Sequence, residues 1–344
     1  MKNASNFIIV TVAIIAALVV GKGILIPFVF AIIFWFLTRE IRKTIYRLPL
    51  ARRFIPTWLG NVLVFTLIML GFSFVSQILT SSISDLTASY SKYEPNIEAI
   101  INRINDYFNI DVMKSLKSIV GDFDYGLFLG NIANGISGLL GDTFMIIIYA
   151  LFLFLEESSF KEKLQKVFMS AKKNPQGVQA ILKKIEKSIS NYLRLKTYVS
   201  LLTGLLSYLV LLFAGVDGAA FWAFLIFLLN YIPTIGSLVA TVFPAIFSLI
   251  QFGEFSPFLM VLIGVGSIQV IVGNVVEPRV FGKSLNLSPL VTILSLAVWG
   301  EIWGITGMIL SVPITVIMII IFSQFEKTKS IAIFLSENGN IEDI

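Results

Sequence analysis

The chain carries apolar runs that are long enough to cross a lipid bilayer. No charged residue occurs in residues 257–276, 284–300 or 302–325. A hydrocarbon core about 30 Å thick is crossed by roughly 20 apolar residues in helical form, and continuous runs do not fit the alternating strands of a β-barrel. The sequence therefore predicts an all-α, polytopic helical membrane protein. We expect about eight transmembrane spans, some short or broken, together with amphipathic helical arms.

Composition narrows the chemistry of the chain. Only 14% of the residues are charged, against about 25% in a soluble domain, and both cysteine and histidine are absent. The usual metal ligand and general base is therefore missing. We find no catalytic carboxylate pair, metal-ligand cluster or phosphate loop, so we expect neither an enzyme nor a cofactor. The net charge of +5 indicates basic cytoplasmic loops and not a nucleic-acid partner.

Charge and turn residues divide the chain into six segments. These are 1–80 (a membrane hairpin, a basic loop and a third span), 81–133 (an extracytoplasmic amphipathic arm), 134–155 (a fourth span), 156–197 (a basic helical segment), 198–330 (a core with broken helices) and 331–344 (a tail). The N-terminal runs 7–20 and 24–37 favour a tight helical hairpin, joined at Gly21-Lys22-Gly23, over a cleaved signal peptide.

Basic residues set the expected orientation. Residues 38–53 carry six Lys or Arg against one acid, and residues 156–196 carry ten against four. Loops rich in Lys and Arg stay in the cytoplasm. We therefore expect both basic segments, and both termini, on the cytoplasmic side of the bacterial inner membrane, with the lipid bilayer itself as a partner.

The arm has a heptad period. Apolar residues recur there at spacings of three and four, at Ile83, Leu86, Tyr90, Tyr93, Ile97, Ile100, Ile104 and Tyr107. Such a seam packs on another apolar surface, either on its own protomer or on a neighbouring subunit, and the pattern leaves both open. Pro95 lies inside the seam and is expected to kink or split the helix.

A polar segment at 273–290 interrupts the apolar sequence and contains Glu277-Pro278-Arg279. Charge at membrane depth is costly unless it faces protein, water or the membrane surface. Glu277 is a candidate for binding a cation or a proton, or else a helix-end carboxylate paired with Arg279 or Lys283. Arg279 is a candidate contact for a polar solute, or else an anchor at the cytoplasmic surface.

Three amides also lie within apolar sequence: Asn230, Gln269 and Asn274. A buried amide must find partners or cost about 1–3 kcal/mol. We expect them either to line a solute or ion path or to bond the backbone beside Pro233 and Pro278. The chain offers no metal-binding residues among them.

Gly and Pro interrupt two apolar blocks. Residues 218–253 are uncharged and would measure about 54 Å as one helix, so we predict two short spans or a re-entrant hairpin. A second interruption lies near residues 299–307. The candidate breaks or hinges are Pro233, Gly236, Pro278, Gly282, Pro289, Gly300, Gly304, Gly307 and Pro313.

These motifs resemble a known family. Residues 230–236, NYIPTIG, are similar to the N-x-I-P-x-I-G signature of the autoinducer-2 exporter family, also called the PerM-like permeases. A second block is similar in order and spacing at Gly273, Asn274, Glu277, Pro278, Gly282, Leu285, Leu287, Pro289, Leu290, Trp299, Gly300, Trp303, Gly304, Gly307, Val312 and Pro313. The resemblance extends over nearly the whole chain.

The resemblance implies a permease that forms homo-oligomers, with pentamers known for such proteins, and that exports a small polar solute such as the quorum-sensing signal autoinducer-2. Other family members act as sodium or lithium/proton antiporters, so a monovalent cation is the alternative partner. A third possibility from the residues alone is an oligomeric membrane scaffold. Fold does not decide among these activities.

Overall fold

The computed structural model describes residues 2–46, 56–108, 144–156, 175–281, 287–326 and 328–339. Across these ranges the regular structure is helical and contains no strand, which confirms the all-α prediction. In chain order the helices are α1 Lys2–Val20, α2 Lys22–Ile45, α3 Thr57–Ala88, α4 Tyr90–Phe108, α5 Phe144–Glu156, α6 Pro175–Phe213, α7 Ala219–Leu229, α8 Ile235–Phe252, α9 Phe255–Ile271, a π-helical turn Val272–Val276, α10 Glu277–Phe281, α11 Pro289–Phe322 and α12 Lys329–Leu335.

Six stretches within the described helices are long and apolar enough to cross a membrane: Lys22–Arg42, Val62–Leu86, Lys183–Phe213, Ile235–Phe252, Phe255–Phe281 and Pro289–Phe322. Shorter apolar helices occur at Ile9–Val20, Phe144–Glu156 and Ala219–Leu229. The protein is therefore a polytopic helical membrane protein. The start of the predicted fourth span, near Asn134, lies outside the described residues.

The chain divides into two units, one formed by residues 1–67, 142–197 and 280–344 and the other by residues 68–141 and 198–279. In the first unit, Gly21 alone separates α1 from α2, so Lys22 and Gly23 belong to α2 and not to a three-residue joint. Both helices exceed the 14 apolar residues of each run, because flanking residues extend them as expected.

The first unit also contains charged contacts between α2 and α6. Arg39 donates to the Glu186 carboxylate at 2.7 Å, and Arg194 donates to the Glu40 carboxylate at 3.2 Å. The Arg39 guanidinium lies over the Trp35 ring, 4.8 Å from its centroid. The first half of the predicted basic loop 38–53 belongs to the end of α2. Its Arg39 and Glu40 side chains have partners on α6.

The second unit has an apolar core built by the end of α3, the arm, the second half of α6, and helices α7 to α9. The residues that form it are Leu79, Leu86, Tyr93, Leu211, Val216, Ala219, Phe221, Trp222, Ile226, Ala240, Ala245, Phe247, Ile250, Val261 and Val265. Aromatic rings lie at its centre, with Trp222 and Phe247 at a centroid distance of 5.1 Å.

The arm packs on this core through the first part of its seam. The Tyr93 hydroxyl donates to the Asp217 carboxylate at 2.7 Å, and its ring meets Phe247 edge-on. The Asn96 amide donates to the Gln251 carbonyl at 2.7 Å, and Arg103 donates to the Gly253 carbonyl at 3.2 Å. The seam therefore meets its own protomer here.

Two further features of the arm differ from expectation. The helix continues through Pro95, and the interruption falls instead at the preceding turn, between α3 and α4 at Ser89. At the far end of the seam Tyr107 is 85% exposed. Contact of the seam with a neighbouring subunit stays a prediction, for which the exposed Tyr107 offers surface.

Candidate functional site

The first helix break lies between α7 and α8. The Asn230 side chain is 7% exposed, and its Nδ2 donates to the Ser200 hydroxyl of α6 at 3.1 Å. This contact links the end of α7 to α6, so one hydrogen on the amide nitrogen already has a partner. The role of Asn230 in a solute path stays a prediction.

The backbone of this break is unusual at Thr234, which adopts φ 59° and ψ −60°. Positive φ is rare for a β-branched residue and costs roughly 1–3 kcal/mol. Thr234 gives α8 no side-chain cap, and the Ser237 hydroxyl donates backwards to the Thr234 carbonyl. Pro233 lies in the turn, as predicted for a helix-breaking residue.

Gly236 is required by a close backbone approach at the same break. A methyl group at this position would overlap the Leu229 carbonyl oxygen. The end of α7 and the first turn of α8 are therefore packed backbone to backbone, which only glycine permits. The 230–236 signature thus encodes a tight joint between two helices.

Gln269 lies on α9, is 7% exposed, and its Nε2 has no hydrogen-bond partner among the described residues. The packing of α9 against α8 shows which turn of α8 lies beside Gln269. A Cβ at Gly266 would contact the Thr241 side chain on α8. Because the two helices are antiparallel, three residues further along α9 correspond to three residues back along α8. Gln269 therefore lies level with the first turn of α8, next to the break.

The remaining members of the predicted path lie further along the same helical run. Asn274 is exposed, and its Nδ2 donates to the Val270 carbonyl of its own helix at 3.0 Å. Glu277 is half-buried at the start of α10, and Arg279 is exposed. Gln269 and Asn230 are brought to the depth of the break, whereas these three are not.

Pro278 does not break the helix, contrary to expectation. The helical run continues from α9 through the π-helical turn into α10, with Pro278 at its second position. Proline removes one N–H donor and crowds the preceding helical turn, and the π-helical turn directly before Pro278 accommodates this change. Such turns are frequent at functional sites. Gly282 lies outside the described residues.

The second helix break lies in the first unit, inside α11. Gly304 adopts φ 62° and ψ −141°, which divides α11 into two helical parts. A methyl group at Gly307 would overlap the Trp299 carbonyl oxygen, and one at Gly300 would press on Met308. Residues eight positions apart are thus in contact, so the chain folds back sharply at Gly304.

Two prolines of α11 have different positions from the break itself. Pro289 is the first residue of the helix, where its fixed φ suits the start. Pro313 lies inside the second helical part, which continues through it.

The Trp303 indole N–H donates to the Leu18 carbonyl of α1 at 3.0 Å. Glu301 is exposed.

A polar face of α6 was missed by the sequence analysis. Ser200, Thr203 and Ser207 recur at spacings of three and four and are fully buried. This period was visible in the sequence as a polar stripe along an apolar span. Gly204 on the same face approaches the Ala223 carbonyl. The stripe therefore lets α6 and α7 pack closely.

The spans define a polytopic membrane protein, and the two fold-back joints and the buried amide near one of them are features that transporters use at their binding sites. The family model described as "AI-2E family transporter" matches residues 8–327. The chain belongs to this family, as its motifs predicted.

Full-length relatives agree with this assignment. A protein of Haemophilus influenzae is 30% identical over 338 residues, covering 96% of this chain and 94% of the relative. The AI-2 transport protein TqsA of Escherichia coli K12 is 31% identical over 321 residues, covering 91% and 90%. A protein of Borreliella burgdorferi is 30% identical over 344 residues, covering 98% and 91%. These bacterial relatives and the apolar helices make the chain a multi-pass protein of the bacterial inner membrane.

Proposed function

We propose that the protein exports a small polar solute, such as autoinducer-2, across this membrane. The observation that carries the proposal is the chemistry of the buried polar side chains. Among the described residues these are serine and threonine hydroxyls, the amides of Asn230 and Gln269, and the ammonium of Lys196. None of them is a carboxylate. Hydroxyls and amides bind uncharged polar groups without a desolvated charge, and TqsA is named for AI-2 transport.

We further propose that both termini are cytoplasmic and that the protein assembles as a homo-oligomer, a pentamer by family resemblance. Lys183 and Lys187 are exposed on the first half of α6, and exposed lysines next to a span favour the cytoplasmic side. The exposed Tyr107 at the end of the arm seam provides apolar surface for a neighbouring subunit.

Efflux from proteoliposomes tests the export proposal. Purified protein is reconstituted in vesicles loaded with autoinducer-2 and with sucrose as a leak marker. We expect autoinducer-2 to leave these vesicles faster than protein-free vesicles, while sucrose is retained in both. Equal autoinducer-2 efflux from the two preparations would contradict export of this solute.

Sodium or lithium/proton antiport is the second candidate, and the position of Glu277 favours it. This half-buried carboxylate begins α10 directly after the π-helical turn. Membrane carboxylates can carry protons when their solvation changes. The test is pH-dye fluorescence in sealed vesicles during addition of sodium or lithium. Cation-dependent proton movement that is lost in Glu277→Gln and kept in Glu301→Gln would favour antiport over solute export.

A further inference from the structure

We propose that the tip of the α7–α8 hairpin is a binding site for an oxygen-rich small solute. There the first-turn N–H groups of α8 and the Gln269 amide donate to an acceptor oxygen, such as a hydroxyl or carbonyl. This proposal rests on the proposed solute export and assigns it a site. The proposed site includes Gln269. It does not include Asn274, Glu277 and Arg279, which lie further along the helical run.

The hairpin enters and leaves the second unit on one side. Gln251, near the end of α8, accepts from the Asp217 N–H at 2.8 Å and donates to the Gly215 carbonyl at 2.9 Å. The loop before α7 is thus tied to the end of α8. With 11 residues, α7 rises only about 17 Å, which is too short to cross a core of about 30 Å. Because α7 cannot cross while the two helices begin and end on one side, we infer a re-entrant hairpin with its tip inside the membrane and α8 as its longer arm.

The tip presents backbone donors. The first N–H groups of a helix have no acceptor within the helix and carry its positive dipole end. In α8 the Ile235 N–H donates to the Pro233 carbonyl at 2.6 Å. The N–H groups of Gly236 and Ser237 have no acceptor among the described residues, and Thr234 gives them no side-chain cap. Half-helix N-termini inside a membrane are a recurrent way of binding electronegative groups of a substrate. Their polarity disfavours a cation.

Gln269 supplies an independent indication of a ligand. It is buried, its Nε2 has no partner within the described part of the chain, and the hairpin register places it level with the first turn of α8. An amide kept without a partner in a membrane span is costly, as is the positive φ of Thr234. A solute oxygen at the tip would accept from both the amide and the helix terminus.

Cysteine labelling tests the site directly, since the chain contains no cysteine. Single-cysteine variants Gln269→Cys and Ser237→Cys are reconstituted and exposed to a charged, water-soluble methanethiosulfonate. The matched control is Ser248→Cys, because Ser248 is a fully buried residue of α8 far from the tip. An apolar environment raises a thiol pKa, and each unit lowers the thiolate about tenfold. We expect both tip variants to react at least about tenfold faster than the control.

Added autoinducer-2 should slow the labelling of Ser237→Cys, which keeps the Gln269 amide, and leave that of Ser248→Cys unchanged. Two results would overturn the site: Gln269→Cys reacting as slowly as the control, or labelling of Ser237→Cys that a transported solute does not slow. If the wild type does not carry autoinducer-2, the choice of this solute fails separately. D-ribose then replaces it as the probe, and the reaction rates with and without ribose decide the site by the same two criteria.

Discussion

The two helix breaks use the same backbone device with different surroundings. In each, one residue adopts a positive φ. The carbonyl five positions before it lies in close contact with a glycine of the next helical part. In the first break the residues are Leu229, Thr234 and Gly236. In the second the corresponding residues are Trp299, Gly304 and Gly307. A proline follows the positive-φ residue by ten positions in one case, at Pro244, and by nine in the other, at Pro313.

The side chains around the breaks differ. The first lies at the level of a buried amide without a partner, Gln269, and keeps a strained Thr234 where glycine would relax it. The second uses glycine at the strained position and is tied to α1 by Trp303. We therefore infer that one backbone arrangement serves the proposed binding site at the first break and a structural joint at the second.

The largest effect should come from filling the close approaches. Gly236→Ala and Gly307→Ala each place a methyl group on a backbone carbonyl, which cannot move as a side chain can. We expect a loss of about 3 kcal/mol of stability for either variant. Thermal unfolding in detergent measures it. The control is Gly273→Ala, whose methyl group meets nothing within 4 Å. Wild-type stability in both test variants would show that the joints open freely.

Substitution at the positive-φ positions should change stability in opposite directions at the two breaks. Gly304→Ala forces an L side chain into φ 62° and should destabilise the protein by about 2 kcal/mol. Thr234→Gly relieves the strain and should stabilise it by about 1 kcal/mol, while solute affinity falls because the tip loses its fixed shape. Melting temperatures together with KM for efflux measure both. Destabilisation by Thr234→Gly would mean that its conformation is not strained.

The tryptophan tether of the second break should have a smaller effect. Trp303→Phe removes the hydrogen bond to the Leu18 carbonyl and should cost about 1 kcal/mol. Trp299→Phe is the matched control, since the Trp299 indole donates no hydrogen bond among the described residues. Transport per folded protein should stay at the wild-type value in Trp303→Phe. A raised KM in this variant would assign the second break a role in binding.

The smallest effect concerns the open end of the first hairpin, where the arm is attached. Burial, aided by the Asp217 carboxylate, raises the pKa of Tyr93 from 10.0 to about 12. The phenol is therefore protonated in folded and unfolded protein below pH 10, and arm stability should not change there. It should fall between pH 10 and about 12, because the unfolded phenol ionises first.

Tyr93→Phe should remove this alkaline dependence and cost about 0.5 kcal/mol at pH 7. Hydrogen exchange of the arm amides across the pH series provides the measurement, after correction for the intrinsic exchange rate. Tyr107→Phe is the control, because Tyr107 lies at the exposed end of the same helix. An unchanged alkaline dependence in Tyr93→Phe would assign it to another group.

The apolar runs and the proline and glycine of the first break could be predicted from the sequence, because they follow from local hydrophobicity and backbone freedom. Pro278 could not, since its effect depends on the π-helical turn before it. Asn274 and Gln269 lie five residues apart, yet one is exposed and the other buried. Only the packing of α9 against α8 distinguishes these two amides.

The most direct test of the account measures autoinducer-2 efflux and melting temperature together for Gln269→Leu and Trp303→Phe. Leucine at a buried position without a hydrogen bond should leave stability unchanged or slightly raised, while KM rises about tenfold. Trp303→Phe should lower the melting temperature and keep KM. Wild-type KM in Gln269→Leu, or a raised KM in Trp303→Phe alone, would contradict the assignment of the solute to the first break.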